Sequence, residues 1–448
     1  MKKIKTLGKA IIFLTIIGAP VYTRAQDSSM ARHLSLQEAI DLSLKNSNLL
    51  KASKARVEEA TGAYKEALDN KLPNAGASGS YLRLNNPSLT IKTKALGSSA
   101  DTTGGGTPKV NQAVYGIFNV SFPIYAGGKI RYGIESAKYL EQAATLDAEN
   151  DQQGVILNTI NAYVNLYKAA VTVSLVANNL QQSLQQDSVL SRLEQNGLLA
   201  RNDLLKAQLQ SSNIELSLLD AENNQKIANI NMNLMLGLSE STALVTDSAT
   251  FDREIHVKNL ADYEQLAFEN RKDIMALSFR KRVATTAIAV AKSDLYPSVA
   301  LTGGFIAADI PHLLSVANAV NIGVGIKYDV GSLWKSKSKI AQAVARESEI
   351  AANQAQLDDA VRLQVNSDYE NYLLSAKKIS VYNNSVEQAK ENYRITKNKF
   401  DNALVNTTDL LEANVSLLQS QISLAVAKAD MVLAYNKLLQ TAGVIAAN

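Results

Sequence analysis

The chain has 448 residues, of which 46% are hydrophobic and 20% charged, with no cysteine and three histidines. Without cysteine there can be no disulfide framework, thiol catalysis or cysteine-ligated zinc, and the histidines lie too far apart for a short metal-binding motif. The formal net charge is +4, but five basic residues precede Gln26 and leave a net charge of −1 for the remainder. Nucleic-acid binding through charge is therefore not expected.

The first 25 residues have the pattern of a secretory signal peptide. A lysine-rich start through Lys9 precedes the apolar run 11–19, and Arg24 has a small residue on either side. This order predicts cleavage before Gln26. A membrane anchor would need about 20 apolar residues, and no later window is long and apolar enough to span a membrane as a helix. We therefore expect an exported protein.

The rest of the chain predicts a tandem duplication. A shift of 224 residues aligns Asn46 with Asn270 and Pro73 with Pro297, whereas a shift of 206 aligns a long ungapped stretch that includes Tyr163 with Tyr369 and Gly237 with Gly443. The change of shift falls in a longer loop, 82–113, of the first half. The predicted units are a first repeat over 26–237, an inter-repeat linker or equatorial segment over 238–261, and a second repeat over 262–448.

Each repeat reads as a helix, two β segments, a very long helix and a further helix. The predicted helices are 34–71, 129–195 and 203–236 in the first repeat, then 262–295, 335–401 and 409–441 in the second. At 1.5 Å per residue the helix 129–195 would be about 100 Å long. The two shorter helices of a repeat, placed end to end, match that length. The lengths predict a rod of about 100 Å with the β segments at one end and the breaks at Asn196 and Asn402 at the other.

The β segments are typical of strands in an outer-membrane barrel. Val320, Ile322, Val324 and Ile326 alternate with Asn321, Gly323, Gly325 and Lys327, and 114–122 and 299–305 have similar patterns. Alternation over about ten residues suits a strand with one face toward lipid, although a soluble two-sheet domain is an alternative. Four strands cannot close a membrane barrel, so the first interpretation requires oligomers, and three copies would supply twelve strands. Aromatic residues where the strands end are candidates for a membrane-interface belt: Phe122, Tyr125, Tyr328 and Trp334.

Taken together, these features resemble the TolC-type outer-membrane efflux protein family. The resemblance covers nearly all of the chain after Ala25 and includes Pro73, Pro297 and the Phe-Pro-Ile-Tyr-Ala-Gly-Gly-Lys turn at 122–129. It implies a mainly α protein with membrane β strands: a homotrimer whose 12-stranded β-barrel continues into a 12-helix periplasmic α-barrel. It also implies an outer-membrane exit duct of a tripartite efflux pump or type I secretion system, for small molecules or polypeptides. The implied partners are outer-membrane lipid, a periplasmic adaptor and an inner-membrane transporter of the RND or ABC type.

The resemblance also assigns roles to residues at the two helix breaks. Family tips carry a Val-Gly-Leu or Val-Gly-Thr turn that docks the adaptor. The matching positions here are Asn196, Gly197 and Leu198 in the first repeat and Asn402, Ala403 and Leu404 in the second. An ordinary helix-hairpin turn is the alternative, because Asn and Gly end helices in any case.

Acidic residues beyond the tips are candidates for the constriction at the periplasmic entrance. In similar proteins, acids one helical turn apart after the second tip ring this opening, and Asp409 and Glu412 occupy those positions. The first repeat has Asp203 and Lys206 instead, so any ring would be charged unequally. Helix capping is an equally supported alternative, in which Asp409 binds free amides and Glu412 completes a box-like pair.

Other interpretations have less support. Ala126-Gly127-Gly128-Lys129 resembles a phosphate loop without its spacing, and Gly104-Gly105-Gly106 suits an outer loop of the barrel or a disordered segment. We find no nucleophile–base pair, metal spacing or cofactor loop, so we expect no enzyme activity and no cofactor. The main rival from another class is a periplasmic coiled-coil adaptor or structural protein with a small soluble β domain.

Overall fold

The computed structural model describes residues 32–85, 110–252, 255–311 and 314–445. The proposed signal peptide and Gly104–Gly106 lie outside these residues. The same series of elements occurs twice along the chain. In order, the elements are β1 (Arg32–Leu34), α1 (Leu36–Asn46), α2 (Asn48–Asp69), β2 (Asn74–Arg83), β3 (Gln112–Ala126), α3 (Lys129–Gln195), α4 (Arg201–Leu236), β4 (Leu244–Thr246), α5 (Leu260–Asn270), α6 (Lys272–Ser293), β5 (Ser298–Ile310), β6 (Leu314–Lys327), α7 (Ser332–Asp401) and α8 (Thr407–Thr441).

The two long helices, α3 and α7, determine the length of the molecule. The predicted bounds of α3, Lys129 and Gln195, are confirmed, and α7 begins at Ser332 rather than at Lys335. With 67 and 70 residues, each helix spans about 100 Å at 1.5 Å per residue.

Shorter helices pack beside the long ones in two rows of four. Near the sheet the row is α2, α3, α6 and α7, and near the tips it is α4, α3, α8 and α7. The pairs α3–α4 and α7–α8 form the hairpins that end at the tips.

The prediction of one continuous helix over 34–71, and of another over 262–295, is wrong. Each is divided in two by a single residue with extended ψ, Ser47 or Arg271. The ends of α4 and α8 dock at these breaks: the Asn46 amide donates to the carbonyl of Leu236 at 2.6 Å, and the Arg271 guanidinium donates to that of Thr441 at 3.2 Å. Long-range contacts of this kind cannot be read from local helix propensity.

The inter-repeat segment contains structure that sequence analysis missed. Within it, β4 pairs in parallel with β1, and a short 3₁₀ helix covers Ser248–Phe251. The buried Tyr163 hydroxyl donates to the Leu34 carbonyl at 2.9 Å and accepts from the Asp247 amide at 2.8 Å. The ring of Phe251 stacks on Tyr167 with centroids 3.8 Å apart. These contacts join the start of the first repeat, the middle of α3 and the segment 238–251.

The sheet mixes strands of both repeats in the order β2–β3–β5–β6. All three pairings are antiparallel, and the central pair, β3–β5, joins one repeat to the other. The register places Phe118 beside Phe305, and Phe305 beside Val320. Because side chains alternate between faces along a strand, this register sorts the apolar residues of several strands onto one side.

Candidate functional site

One face of the sheet is apolar and open. Across neighbouring strands, Val120 lies beside Gly303 and Gly303 beside Ile322. The side chains of β6 are the most open, since Val320 is 77% and Ile322 81% exposed. The apolar face is formed by Phe118, Val120, Phe122, Leu301, Phe305, Val320, Ile322, Val324 and Ile326.

The opposite face of the sheet carries mostly polar or small residues, with one apolar pair, Ile117 beside Ile306. Asn119 lies beside Gly304, which in turn lies beside Asn321, and Ser121 lies beside Thr302. The two faces therefore prefer different surroundings, one apolar and one wet, as in strands that separate lipid from an aqueous lumen.

The four candidate interface aromatics lie near the end of the sheet that leads into the helices. Phe122 and Tyr125 are in the last part of β3, Tyr328 follows β6, and Trp334 is in the first turn of α7. All four are between 40% and 63% exposed. Their role at a membrane surface stays a prediction.

The Gly127-Gly128 pair is explained by backbone geometry. Gly127 has φ +61°, and a Cβ there would lie 2.5 Å from the carbonyl oxygen of Ser293; Gly128 has φ +88°, and its Cβ would lie 2.8 Å from the Tyr132 ring. The pair therefore permits the tight turn from β3 into α3 against the end of α6. Phosphate binding is not needed to account for it.

The first tip, Asn196–Leu198, closes α3 with a left-handed turn. Gly197 has φ +70°, and the Leu198 amide donates to the Leu193 carbonyl at 2.8 Å. The Asn196 side-chain amide donates to the Arg192 carbonyl at 2.7 Å, which satisfies one of the free carbonyls at the helix end. Leu198 is 74% exposed.

The second tip, Asn402–Leu404, has the same hydrogen bonds with a different residue at its centre. Ala403 takes φ +59°, and the Leu404 amide donates to the Lys399 carbonyl at 2.8 Å. Asn402 caps its helix by a 2.7 Å bond to the Asn398 carbonyl, and Leu404 is 73% exposed. Asparagine in place of valine at both tips therefore has a structural role.

The structure brings the two tips together. Leu190, Leu204 and Ala207 form a buried cluster between α3 and α4, and Phe400 and Leu411 of the second hairpin pack against it. The exposed Leu198 and Leu404 thus project from a packed base that both hairpins share.

The acidic candidates differ in their contacts. Asp409 forms a capping box with Asn406: its backbone amide donates to the Asn406 side-chain oxygen at 3.0 Å, and its carboxylate accepts from the Asn406 backbone amide at 3.3 Å. Capping by Asp409 is thus confirmed, but its expected pairing with Glu412 is wrong, because the N-cap is Asn406, three residues earlier. Sequence analysis missed Asn406, although its spacing from Asp409 is a signal for a cap.

Glu412 is exposed, and within the described residues it has no hydrogen bond or salt bridge. Asp203, by contrast, accepts from Lys206 at 3.3 Å, and α4 has Ala200 as its N-cap residue, which supplies no side-chain cap. A ring of these acids would need several chains, so the constriction stays a prediction.

Two features are absent from the ranges that the structure describes. None of their helices is long and apolar enough to cross a membrane. No group of three or more histidine and acidic side chains in those ranges could hold a metal ion.

Comparison with known proteins identifies relatives that match this chain over most of its length. The family model for outer membrane efflux proteins matches residues 39–238 and 264–444. The outer membrane efflux protein BepC of Brucella suis biovar 1 (strain 1330) is 23% identical over 418 residues, covering 89% of this chain and 88% of that protein.

Solved structures share the fold. The outer membrane protein VceC of Vibrio cholerae matches with a TM-score of 0.75 at 19% identity, over 91% of this chain and 96% of that one. The Campylobacter jejuni CmeC outer membrane channel matches with a TM-score of 0.74 at 18% identity, over 92% of this chain and 86% of that one.

Proposed function

Since the chain belongs to the outer membrane efflux protein family, we propose that three copies of it form one passive conduit through the outer membrane and periplasm. Location in the outer membrane and a role as an efflux channel follow from that membership. The trimer, the closure of the barrel and the choice of partners belong to the proposal. The absence of catalysis also belongs to the proposal, because a passive conduit has only to provide an open path.

The observation that carries the proposal is the four-stranded sheet with two free edges. The strands alternate in direction from β2 to β6, so β6 of one copy would lie antiparallel to β2 of the next. Open edges cannot remain in lipid, where each free backbone group costs several kcal/mol. Two copies would give an eight-stranded barrel, and side chains fill the interior of a barrel of that size. Three give twelve, with room for a lumen.

The apolar face supports the same arrangement. In a closed barrel it would contact lipid, and the face with Asn119, Thr302 and Asn321 would line the water-filled interior. Burying apolar side chains in hydrocarbon is favourable by roughly 25 cal/mol per Å². Exposed to water, this face would be a large apolar patch that favours aggregation.

The helix rows support three-fold closure as well. Each row has four helices, and the outer helices of the tip-side row, α4 and α7, carry exposed apolar residues. On α4, Leu209 and Leu216 are 63% and 61% exposed, and on the tip-side part of α7 Val381 is 52% exposed. Pairing α4 of one copy with α7 of the next would cover these side chains and give a ring of twelve helices.

The tips suit docking of a periplasmic adaptor, which would connect the conduit to an inner-membrane transporter of the RND or ABC type. Leu198 and Leu404 are exposed apolar side chains on a fixed base, a combination that favours recognition by another protein. Engagement of the adaptor would open the ring of tips.

The test is the native mass of the mature protein, extracted from outer membranes with detergent and corrected for bound detergent. We expect about three chains. A variant with Leu209→Glu and Leu216→Glu should lose trimers, whereas the matched Leu209→Met and Leu216→Met variant should keep them. A monomer that stays in solution without detergent would overturn the proposal and favour the periplasmic adaptor or structural protein.

A further inference from the structure

A cavity of about 410 Å³ lies where the sheet meets the long helices. Its charged lining consists of four lysines and two aspartates: Lys129, Lys327, Lys335, Lys339, Asp294 and Asp329. The cavity is thus net positive, and its volume is within the range of small-molecule sites. We call it the junction cavity.

Two of the lysines form salt bridges with the same aspartate. Asp294 follows the end of α6 and binds Lys339 at 2.8 Å and Lys129 at 3.4 Å. The ammonium of Lys339, and then that of Lys129, holds the pKa of Asp294 below its ordinary value. This ion-pair group joins α3, α6 and α7 beneath the sheet and is structural.

The other two lysines have no such partner. In the part of the chain that the structure describes, neither Lys327 nor Lys335 forms a salt bridge, and both are exposed. Asp329, the remaining acid, accepts from the Gly331 amide at 3.0 Å at the start of α7. Among the described residues, Lys327 and Lys335 therefore add positive charge to the cavity without forming a salt bridge, although the Asp329 carboxylate lies near the Lys335 ammonium.

A buried hydroxyl also lines the junction cavity without a partner. Ser332 is only 6% exposed, and its Oγ has no hydrogen bond to any residue that the structure describes. A buried hydroxyl without a partner costs free energy. An anionic oxygen in the cavity would accept from this hydroxyl and from the lysines.

The junction cavity lies on the polar side of the sheet. Lys327 and Ser298 are cross-strand partners, and both alternate with the apolar Val299 and Ile326. If the apolar face contacts lipid, the cavity opens to the lumen at the base of the barrel.

We propose that the junction cavity is a binding site for an anionic group, a phosphate or carboxylate, carried by solutes in the channel. Lys327 and Lys335 supply the charge and Ser332 a hydrogen bond. The placement in the lumen rests on the proposed function, but the anion site itself does not. Three copies would place three such sites around the conduit, which favours anionic cargo at this level.

The test is calorimetric titration of the detergent-solubilised mature protein with inorganic pyrophosphate at low salt. Lys327→Gln with Lys335→Gln should raise the Kd at least about tenfold, because charge-assisted hydrogen bonds are among the stronger polar contacts. Lys327→Arg with Lys335→Arg keeps the charge and should keep most of the affinity. Ser332→Ala should weaken binding by a smaller factor. Equal Kd values for the wild type and the glutamine variant, or no binding at all, would overturn the proposal.

A lipid headgroup carries the same phosphate chemistry, and a second arm separates the two sources. If pyrophosphate binds only after lipid is removed, and phospholipid copurifies with the wild type but not with the glutamine variant, the site takes headgroups and the cargo assignment fails. If binding needs no delipidation, the exported anion is favoured.

Conductance in planar bilayers distinguishes this proposal from the one on which it rests. No conductance by any variant would count against the conduit. Conductance whose anion preference is identical in the wild type and the glutamine variant would count against the site alone.

Discussion

The two tips have nearly the same backbone and different chemistry. Both end a long helix with an asparagine that caps it and a residue at positive φ, followed by an exposed leucine. The first tip has glycine at the left-handed position and the second has alanine, for which that conformation costs roughly 1–2 kcal/mol. The turn is therefore imposed by the packing beneath it, where Leu190 and Leu204 meet Phe400.

Their charges are the main contrast. In the first hairpin Glu194 lies 3.6 Å from Arg201 and Asp203 lies 3.3 Å from Lys206, so the acids are compensated. In the second, Asp409 is bound only by the Asn406 cap, and Glu412 is free within the described residues. The two tips thus share the same backbone shape, which suits docking, but of the candidate constriction acids only those of the second hairpin lack a basic partner among the described residues.

The largest effect is expected from the feature that both tips share. Replacing Leu198 and Leu404 with aspartate should reduce export to the level of cells without the protein, because a charge would have to be desolvated on docking. The trimer should remain in the outer membrane. Export by live cells and the native mass of the extracted protein measure the two outcomes.

Leu198→Met with Leu404→Met is the matched control and should export normally. Unchanged export by the aspartate variant would remove the docking role from these leucines and leave the tips as plain helix turns.

The next effect should appear in only one hairpin. Asp409→Asn with Glu412→Gln removes the charge while the asparagine side chain can still accept at the helix start. Block of the pore by a divalent cation should weaken about tenfold, since each carboxylate within ~4 Å of a cation contributes on the order of 1 kcal/mol even in water. Asp203→Asn should change the block much less, because Lys206 already offsets it. Single-channel recordings give the blocking concentrations, and equal block in all three proteins would leave Asp409 only its capping role.

The smallest effect concerns the caps. Asn406→Ala should destabilise the start of α8 by about 1 kcal/mol, and Ala200→Asn should stabilise the start of α4 by a similar amount. Hydrogen exchange of the amides at 407–411 should then become roughly five to ten times faster, and that at 201–205 correspondingly slower. If neither rate moves, the packing under the tips, rather than the caps, holds these helix starts.

Much of the fold could be predicted because its signals are local. The glycine turn before Lys129 and the asparagine at 196 mark both ends of α3, and alternation marks β5 and β6. The breaks at Ser47 and Arg271 are hard to predict, because both neighbouring segments favour helix and the distant ends of α4 and α8 dock there. The one local signal is Ser47, whose hydroxyl caps α2 by accepting from the Leu50 amide at 3.3 Å. The strands β1 and β4 are three residues each, too short for any period to show.

The candidate sites also differ in how far the sequence predicts them. The tips follow from their repeat and the family resemblance, whereas the only signal for Asn406 is its spacing of three residues from Asp409. The junction cavity had no sequence signal, since Lys327, Lys335 and Asp294 come together only when β6, α7 and α6 meet.

The pairing of β1 with β4 has a consequence for the order of events during biosynthesis. Residues 32–34 are made early, but their partner strand, 244–246, follows the whole of α3 and α4. The Tyr163 hydroxyl, which binds both sides, is likewise left half-satisfied until then. Contacts so distant in sequence form late, so residues 32–34 have no partner strand until 244–246 have been made. The β1–β4 pairing is therefore completed only after the whole of the first repeat has been synthesised.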